Sequence, residues 1–436
     1  MQVLKFGGTS VGSVENMINV ADIINTTTKK IVVLSAMSGT TNALVSIAES
    51  IKNTEVLSAN HQIQVLYDIY KATCKQLLSN TEFYKGVLKY IELTFENLSS
   101  LTRKAYSEQL YNQIVSQGEL LSTQLFNAYC NSKKINSIVL PALDFMRIDR
   151  SQEPDSFYIK KNLERALNQL PETDVYITQG FICLDALGNV SNFKRGGSDY
   201  TATIIGSAVN AEEVQIWTDI DGVHNNDPRF VQNTTPISDL SYDESAELAY
   251  FGAKILHPQT VLPVRLQQIP VRLKNTMAPK AYGTLITQNS KGDGIKAIAA
   301  KDGITAIKIK SARMLLAHGF LKKVFEIFDR LETAIDMITT SEVAISLTID
   351  NDENLTSILK ELREFCFVEV EEHHSIICLV GHAIVDHPDT HKLFQILQDI
   401  NVRMISYGGS KNNISLLVNT SDKVETLSKL HRYIFE

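Results

Sequence analysis

The sequence predicts an α/β protein: a mainly parallel sheet covered by helices, followed by a smaller region in which a β-α-β-β-α-β order recurs. Three observations carry this. Short β-branched runs alternate with helical periodicity through the first half of the chain. The rhythm changes after a polar, Gly-containing stretch at Thr287 to Gly294 (TQNSKGDG), which reads as a linker. A chain of 436 residues, 44% of them apolar, holds roughly two to four domains, each able to bury a core.

Gln2 to Phe6 and Ile31 to Ser35 read as strands, and between them Val14, Met17, Ile18, Ala21 and Ile24 recur at helical spacing. That is strand, helix, parallel strand. Leu44, Ile47, Ala48 and Ile51 repeat the helical spacing, and a mostly helical stretch with interruptions runs from about His61 to Asn131. Further strands are expected at Ser137 to Leu140, Asp174 to Thr178, Val214 to Trp217 and Val271 to Leu273. A sheet built this way presents ligands at the carboxyl ends of its strands. Beyond the polar stretch, Gly303 to Lys310, Ala334 to Ile338, Val343 to Ile349 and Phe367 to Val370 read as strands, with helices at Gly319 to Leu331 and Glu353 to Phe365. The order recurs as strand Ser375 to Val380, helix Thr390 to Ile400, strands Val402 to Ser406 and Ile414 to Asn419, and helix Asp422 to Tyr433. The second unit lacks a sixth strand, and Gly294 to Ala300 supplies a candidate, which makes the first unit an insertion within the second.

Forty-two Lys and Arg against 49 Asp and Glu give a net charge of −7, so the molecule as a whole repels a phosphate backbone, and nucleic acid is excluded as an expected partner. Any bound anion needs a local device. The five cysteines are odd in number and scattered without a C-x-x-C, which predicts reduced, mostly buried thiols and no zinc site. No apolar run reaches membrane-spanning length, and MQVLKFGG begins as a strand instead of a leader. A membrane is therefore not expected as a partner, and a reducing cytoplasm is the expected location.

Lys5-Phe6-Gly7-Gly8-Thr9-Ser10 follows the first strand and precedes a helix, where glycines admit phosphate oxygens to the backbone and Lys5 adds a point charge. Ser35-Ala36-Met37-Ser38-Gly39-Thr40-Thr41-Asn42 repeats the arrangement after the second strand, though helix capping accounts for it equally well. Lys194-Arg195-Gly196-Gly197-Ser198-Asp199-Tyr200-Thr201-Ala202 sets an arginine able to grip a carboxylate before paired glycines, a cap residue and an apolar helix. Trp217 to Val223 (WTDIDGV), followed by Asp227-Pro228-Arg229, suits ribose and phosphate, and Phe251 to Pro258 (FGAKILHP) offers one more lysine. Glu119, in Ser116-Gln117-Gly118-Glu119-Leu120, falls in the long helical stretch, where spacing alone does not place it in a pocket. His373, His374, His382, His387 and His391 match no metal-ligand spacing and read as a solvated face.

Taken together, KFGGTSV, SAMSGTTN, QGEL, RGGSDYTA, WTDIDGV with NDPR, FGAKILHP, GFLKKVFEIF and IDMITTSEVAISLTID, in this order, resemble the aspartate kinases of the amino acid kinase superfamily over essentially the whole chain. The resemblance implies a three-layer α/β/α catalytic domain over residues 1–287. It also implies two ferredoxin-like ACT domains, the first at 303–372 inserted in a second formed by 294–300 and 373–436. It implies MgATP as cosubstrate and phosphorylation of the β-carboxylate of L-aspartate, the first step toward lysine, threonine and methionine. Lys5 and Asp199 would be the catalytic residues. Lys5, Phe6, Gly7, Gly8, Thr218, Asp219, His224, Arg229, Lys254 and Ile255 would hold ATP. Ser35, Thr41, Glu119, Arg195, Gly196, Gly197 and Ser198 would hold aspartate, with Glu119 near its ammonium. No metal ligand is assigned.

The same resemblance implies feedback by lysine or threonine, bound by Met314, Phe320, Leu321, Asp336, Thr340, Ser341 and Glu342 where ACT domains meet in a homodimer or a dimer of dimers. Asp336 or Glu342 would pair the effector's ammonium. Lys194, His224 and Ala317 depart from residues common in the family, and Ala317 leaves the effector's identity open. A catalytically silent amino-acid sensor is the rival reading, but the loss of Lys5, Arg195 or Asp199 that it calls for is absent.

Overall fold

The computed structural model describes residues 1–193, 196–252, 256–310, 319–388 and 390–436. They form two compact units, 1–223 with 238–242 and 256–289, and 224–237 with 243–255 and 290–436.

The first unit is built on an eight-stranded sheet in the order Ser137–Val139, Val175–Gln179, Lys30–Leu34, Gln2–Phe6, Val214–Thr218, Val271–Asn275, Thr284–Thr287, Asp239–Ser241. The first six run parallel, and Thr284–Thr287 turns antiparallel to its neighbour. Lys30–Leu34 and Val175–Gln179 are buried at every position, as strands covered on both faces must be. Even Lys30 is inside. Its ammonium is satisfied by the Ile24 and Thr26 carbonyls at 3.0 and 3.1 Å, so a buried cation ends the preceding helix Val14–Ile24. At the other end of that helix Ser13 accepts the Asn16 N–H at 3.2 Å. Ser13→Ala is expected to cost about 1 kcal/mol, read as a lower midpoint of thermal unfolding.

The long helical stretch resolves into Val56–Leu78, Tyr84–Leu101, Glu108–Val115 and Gln117–Ser132, joined in one core around Tyr70, Phe95 and Phe126. The hairpin Ile182–Leu184 with Val190–Asn192 and the helix Ser156–Gln169 are additions to the elements expected from sequence.

The second unit carries a six-stranded antiparallel sheet, ordered Ile338–Thr340, Ala344–Ile349, Gly294–Lys310, Phe367–His382, Asn413–Asn419, Met404–Ser406. The strands expected separately at 294–300 and 303–310 are one strand, and so are those expected at 367–370 and 375–380. Register shifts near Ile304 and a left-handed His373 (φ 63°) mark the seams between halves. One half packs with helices Phe320–Arg330 and Leu355–Leu362 around Ile307, Phe328 and Leu347. The other packs with Lys392–Ile396 and Lys423–Phe435 around Ile298, Leu379 and Leu427.

Two expectations need correction here. The strand expected at Ala334 to Ile338 begins only at Ile338, because Asp336 is drawn inward to Lys301 and Tyr250, each 3.0 Å away. The helix expected at Thr390 to Ile400 is the short Lys392–Ile396. The residues expected in the catalytic span 1–287 pack in both units. Segments 224–237 and 243–255 belong to the second unit, where Val231 joins the Ile298 and Leu427 core and the Ile298 N–H donates to Asn225 at 2.9 Å. All five cysteines are free, and four are buried. No helix among the described residues is long and apolar enough to cross a membrane.

Candidate functional site

In the first unit the sheet's register levels four strand ends, since Phe6 pairs with both Leu34 and Trp217, and Leu34 pairs with Gln179. The turns leaving these strands are tied together. Ser35 donates its N–H to Phe6, Gly180 to Leu34 and Gly7 to Trp217. There a cleft of about 420 Å³ opens, lined by Gly8, Thr9, Ser35, Ala36, Met37, Ser38, Gly39, Thr41, Asn42, Glu119, Phe181, Gly197 and Ser198.

Two helices begin at its wall. Thr40–Lys52 starts after Gly39 (φ 80°) and Gly197–Ala208 after Gly196 (φ 70°), left-handed positions that favour glycine. Neither start has a side-chain cap among the described residues. First-turn N–H groups with partial positive charge and no internal acceptor are how a backbone holds an anion. These starts are the candidates for the local anion site that an acidic protein needs.

Lys5 is 8% exposed, and its Nζ lies 2.6 Å from Asp199 Oδ1. Oδ1 makes no directed hydrogen bond among the described residues, so we read the contact as an ion pair. A Cβ built on Gly7 would come within 3.3 Å of Nζ, which puts the ammonium at the turn after the first strand. Asp199 stands in the first turn of its helix, where the dipole favours a carboxylate. Ser35 donates to Ser198 at 2.9 Å, and Ser122 donates to the Ser35 carbonyl at 2.8 Å.

Glu119, in the first turn of Gln117–Ser132, is 3% exposed. Oε1 accepts the Ala36 N–H at 3.2 Å, while Oε2 is buried without a hydrogen-bond partner among the described residues. Removal from water pushes its pKa up to about 8, against the smaller opposing effect of backbone hydrogen bonds.

Of the residues expected to bind aspartate, Ser35, Thr41, Glu119, Gly197 and Ser198 meet in this cleft, and Gly8 from the ATP set joins them. Gly196 lies just behind, where a Cβ would meet Thr260 Oγ1 at 2.6 Å. Phe6, also expected in the ATP set, ends the first strand. Its ring is fully buried and stacks on Trp217 at 5.6 Å, so its side chain belongs to the core. Thr218 is half-buried and accepts the Ile220 N–H at 3.1 Å, and Asp219 is exposed. His224 and Arg229 fall in the second unit, where His224 Nδ1 is 2.9 Å from Thr234 Oγ1 and Arg229 forks onto Asp227 with its Nε at 3.0 and 3.1 Å. Lys194, Arg195, Lys254, Ile255, Met314 and Ala317 lie outside the described residues.

The expected effector residues divide. Phe320 is half-buried, and Leu321, Thr340, Ser341 and Glu342 are exposed. Asp336 is held by Lys301 and Tyr250, and Lys301 pairs in turn with Asp350 at 2.6 Å. Its expected pairing with an effector ammonium therefore meets a carboxylate already engaged. His382 Nδ1 lies 2.8 Å from Asp293, and among the described residues no group of three or more His, Cys, Asp or Glu is placed to hold a metal ion.

Sequence reasoning singled out Ser35 and Thr41 from SAMSGTTN but passed over Ala36, Met37, Ser38, Gly39 and Asn42, which line the same wall. Proximity to Ser35 was the available signal. Phe181 had none, since its place depends on a left-handed backbone (φ 66°) and an N–H donated to Thr201 Oγ1 at 2.9 Å.

The sequence profile of the amino acid kinase family matches residues 1–275, and that of an ACT domain matches residues 377–433. The lysine-sensitive aspartokinase 3 of Escherichia coli (strain K12) is 36% identical over 456 residues, an alignment spanning 100% of this chain and 99% of that one. The crystal structure of E. coli aspartokinase III with aspartate and ADP (R-state) is similar with a TM-score of 0.85 at 34% identity, covering 100% of both chains. The structure of the same enzyme with lysine and aspartate (T-state) gives 0.82 at 34% identity, again covering 100% of both chains.

Proposed function

We propose a reaction for this chain from one premise: it belongs to the amino acid kinase family and, within it, to the aspartokinases. The reaction is transfer of the γ-phosphoryl group of ATP to the β-carboxylate of L-aspartate, giving 4-phospho-L-aspartate and ADP. The observation that supports it best is the single cleft that gathers Gly8, Ser35, Thr41, Glu119, Gly197 and Ser198 from four separate stretches of chain.

The β-carboxylate is ionised at neutral pH and is itself the nucleophile, so no protein base is required. The protein's task is to hold two mutually repelling anions in line and to offset charge on the moving phosphoryl group. Lys5 supplies the cation, and Asp199 holds its ammonium in place. The uncapped starts of Thr40–Lys52 and Gly197–Ala208 supply N–H donors to carboxylate or phosphate oxygens. Ser35 and Ser198, bonded to one another, place their hydroxyls beside the substrate, and Glu119 faces its ammonium.

ATP would arrive as its Mg²⁺ complex, the ion offsetting phosphate charge. No protein ligand set for it stands among the described residues, and no step is assigned to it. Feedback by lysine follows from the kinship with a lysine-sensitive relative. The two halves of the six-stranded sheet are proposed as two ACT domains, pairing between subunits in a cytoplasmic homodimer or dimer of dimers. A coupled ADP-release assay with L-aspartate and MgATP, with and without lysine or threonine, tests both readings. Aspartate-dependent ADP formation that lysine suppresses is expected. Absence of aspartate-dependent ADP removes the kinase reading, and indifference to both amino acids removes the regulatory one.

A further inference from the structure

We propose that Glu119 enters substrate binding as a neutral acid, and that capture of the substrate's ammonium group sends its proton to solvent. This rests on the aspartate-kinase reading above and adds to it a proton-coupled recognition step.

The geometry is that of a carboxyl group with no provision for a permanent charge. Glu119 is 3% exposed, and its only described hydrogen bond is the Ala36 N–H on Oε1. Oε2, although Glu119 lines the cleft, is buried and unmatched among the described residues. Among the described residues, the elements packed around it add no cation. Helix Val56–Leu78 presents Tyr70, itself fully buried, whose hydroxyl lies 3.2 Å from Thr40 Oγ1 at the start of Thr40–Lys52. A negative Glu119 and an ionised Tyr70 would each oppose the other, and burial already drives the tyrosine's pKa up. The turn at 35–39 contributes the backbone of Ala36, and the strand Val175–Gln179 meets the same helix through the uncharged Gln179, whose amide donates to Thr123 Oγ1 at 2.8 Å. The site's described lysine, Lys5, is already engaged by Asp199. An isolated buried carboxylate with a single hydrogen bond holds its proton, in keeping with a pKa near 8.

A primary ammonium entering the cleft changes this balance. The O–H bond of the Glu119 carboxyl breaks, the proton passes to water, and the carboxylate pairs with the ammonium without any covalent bond to the substrate. Before that exchange the cleft is less repulsive to an incoming dicarboxylate than one lined by a fixed negative charge. A ligand lacking the ammonium does not drive the exchange, so it faces a neutral acid and gains no ion pair. Glu119 thus ties recognition of an α-amino acid to a proton.

Isothermal titration of the full chain with L-aspartate, repeated in buffers of different ionisation enthalpy, counts the protons released. With a free-state pKa of about 8, roughly nine-tenths of a proton per aspartate is expected at about pH 7, falling to roughly a tenth at about pH 9. Because the free protein holds more protons than the complex, aspartate binding tightens about tenfold per unit as pH rises from about 6 toward 8, then levels. Succinate, the same diacid without the ammonium, releases none. Glu119→Gln, which has no proton to lose, binds aspartate without that pH slope. The succinate comparison carries the test if this variant binds too weakly to titrate. Measurable aspartate binding with no proton release at about pH 7, or equal release by succinate, overturns the proposal. Absence of aspartate binding altogether removes the kinase reading, and the proposal with it.

Discussion

Lys5→Met is expected to lower kcat by at least about 100- to 1,000-fold, the range seen when one donor to developing negative charge is removed from an enclosed site. Lys5 lies at the end of the first strand with its ammonium at the Gly7 turn, 2.6 Å from Asp199. It is mostly buried and charge-paired, so it reaches that position without sampling many rotamers. Methionine keeps the stem and removes the charge, which leaves Asp199 unopposed close to where phosphate oxygens would lie. That carboxylate would then repel the nucleotide, so KM for ATP rises alongside the fall in kcat. The measurement is steady-state ADP release over a matrix of aspartate and MgATP concentrations, with circular dichroism to verify folding. A folded variant that keeps kcat within tenfold of the parent would sink the assignment of Lys5. Asp199→Asn tests the partner, and unchanged kcat/KM there would remove Asp199 from the catalytic pair.

Gly180→Ala is expected to raise KM for aspartate at least about tenfold and to destabilise the first unit by about 1–3 kcal/mol, the usual cost of overpacking. A methyl group at residue 180 would sit 2.4 Å from both Cβ and Oγ of Ser198 and 2.9 Å from its Cα. Because the backbone is one of the atoms struck, rotating the serine does not relieve the clash, and the start of Gly197–Ala208 must move. That shift breaks the Ser35–Ser198 hydrogen bond and displaces an uncapped helix start from the cleft. KM for ATP should change less than KM for aspartate. Thermal unfolding and the two KM values are the measurements, and a folded variant with unaltered aspartate KM would show that Ser198 is not held for substrate.

Periodic local patterns made much of this architecture legible. Gln2–Phe6 and Val14–Ile24 stand at the bounds that their spacing predicts, and the other parallel strands expected before residue 275 lie within two residues of theirs. Where local pattern was thin, prediction thinned with it. Asp239–Ser241 and Ile182–Leu184 span three residues each, too short for a period-two signal; the first is paired with the distant Thr284–Thr287, and the second closes a hairpin with Val190–Asn192. Asp336 reads from its neighbours as part of a strand, but Lys301 and Tyr250, 35 and 86 residues away, turn it inward. The site shows the same division. Glycines and hydroxyls after Phe6 and Leu34 announce anion-binding turns, because a turn's chemistry is written in adjacent residues. Glu119 announced nothing by its spacing, and only the resemblance carried by QGEL pointed to it, because its role depends on which helices surround it.

The sequence by itself determined the order of elements, the acidic balance of the whole and the turn chemistry at three strand ends, all of which follow from residues near one another along the chain. Only the tertiary structure decided that those turns share one cleft and that Lys5 meets Asp199 across 194 residues. It alone drew 224–237 into the second unit's core and left Glu119 buried with one carboxylate oxygen unmatched among the described residues. The physical reason is that backbone conformation and helical period are local, while desolvation and ion pairing depend on everything within a few ångströms, whatever its place in the sequence. The anion site proposed for a chain of net charge −7 is therefore a product of folding, drawing on helix starts at the cleft wall and on the fixed Lys5 instead of on composition.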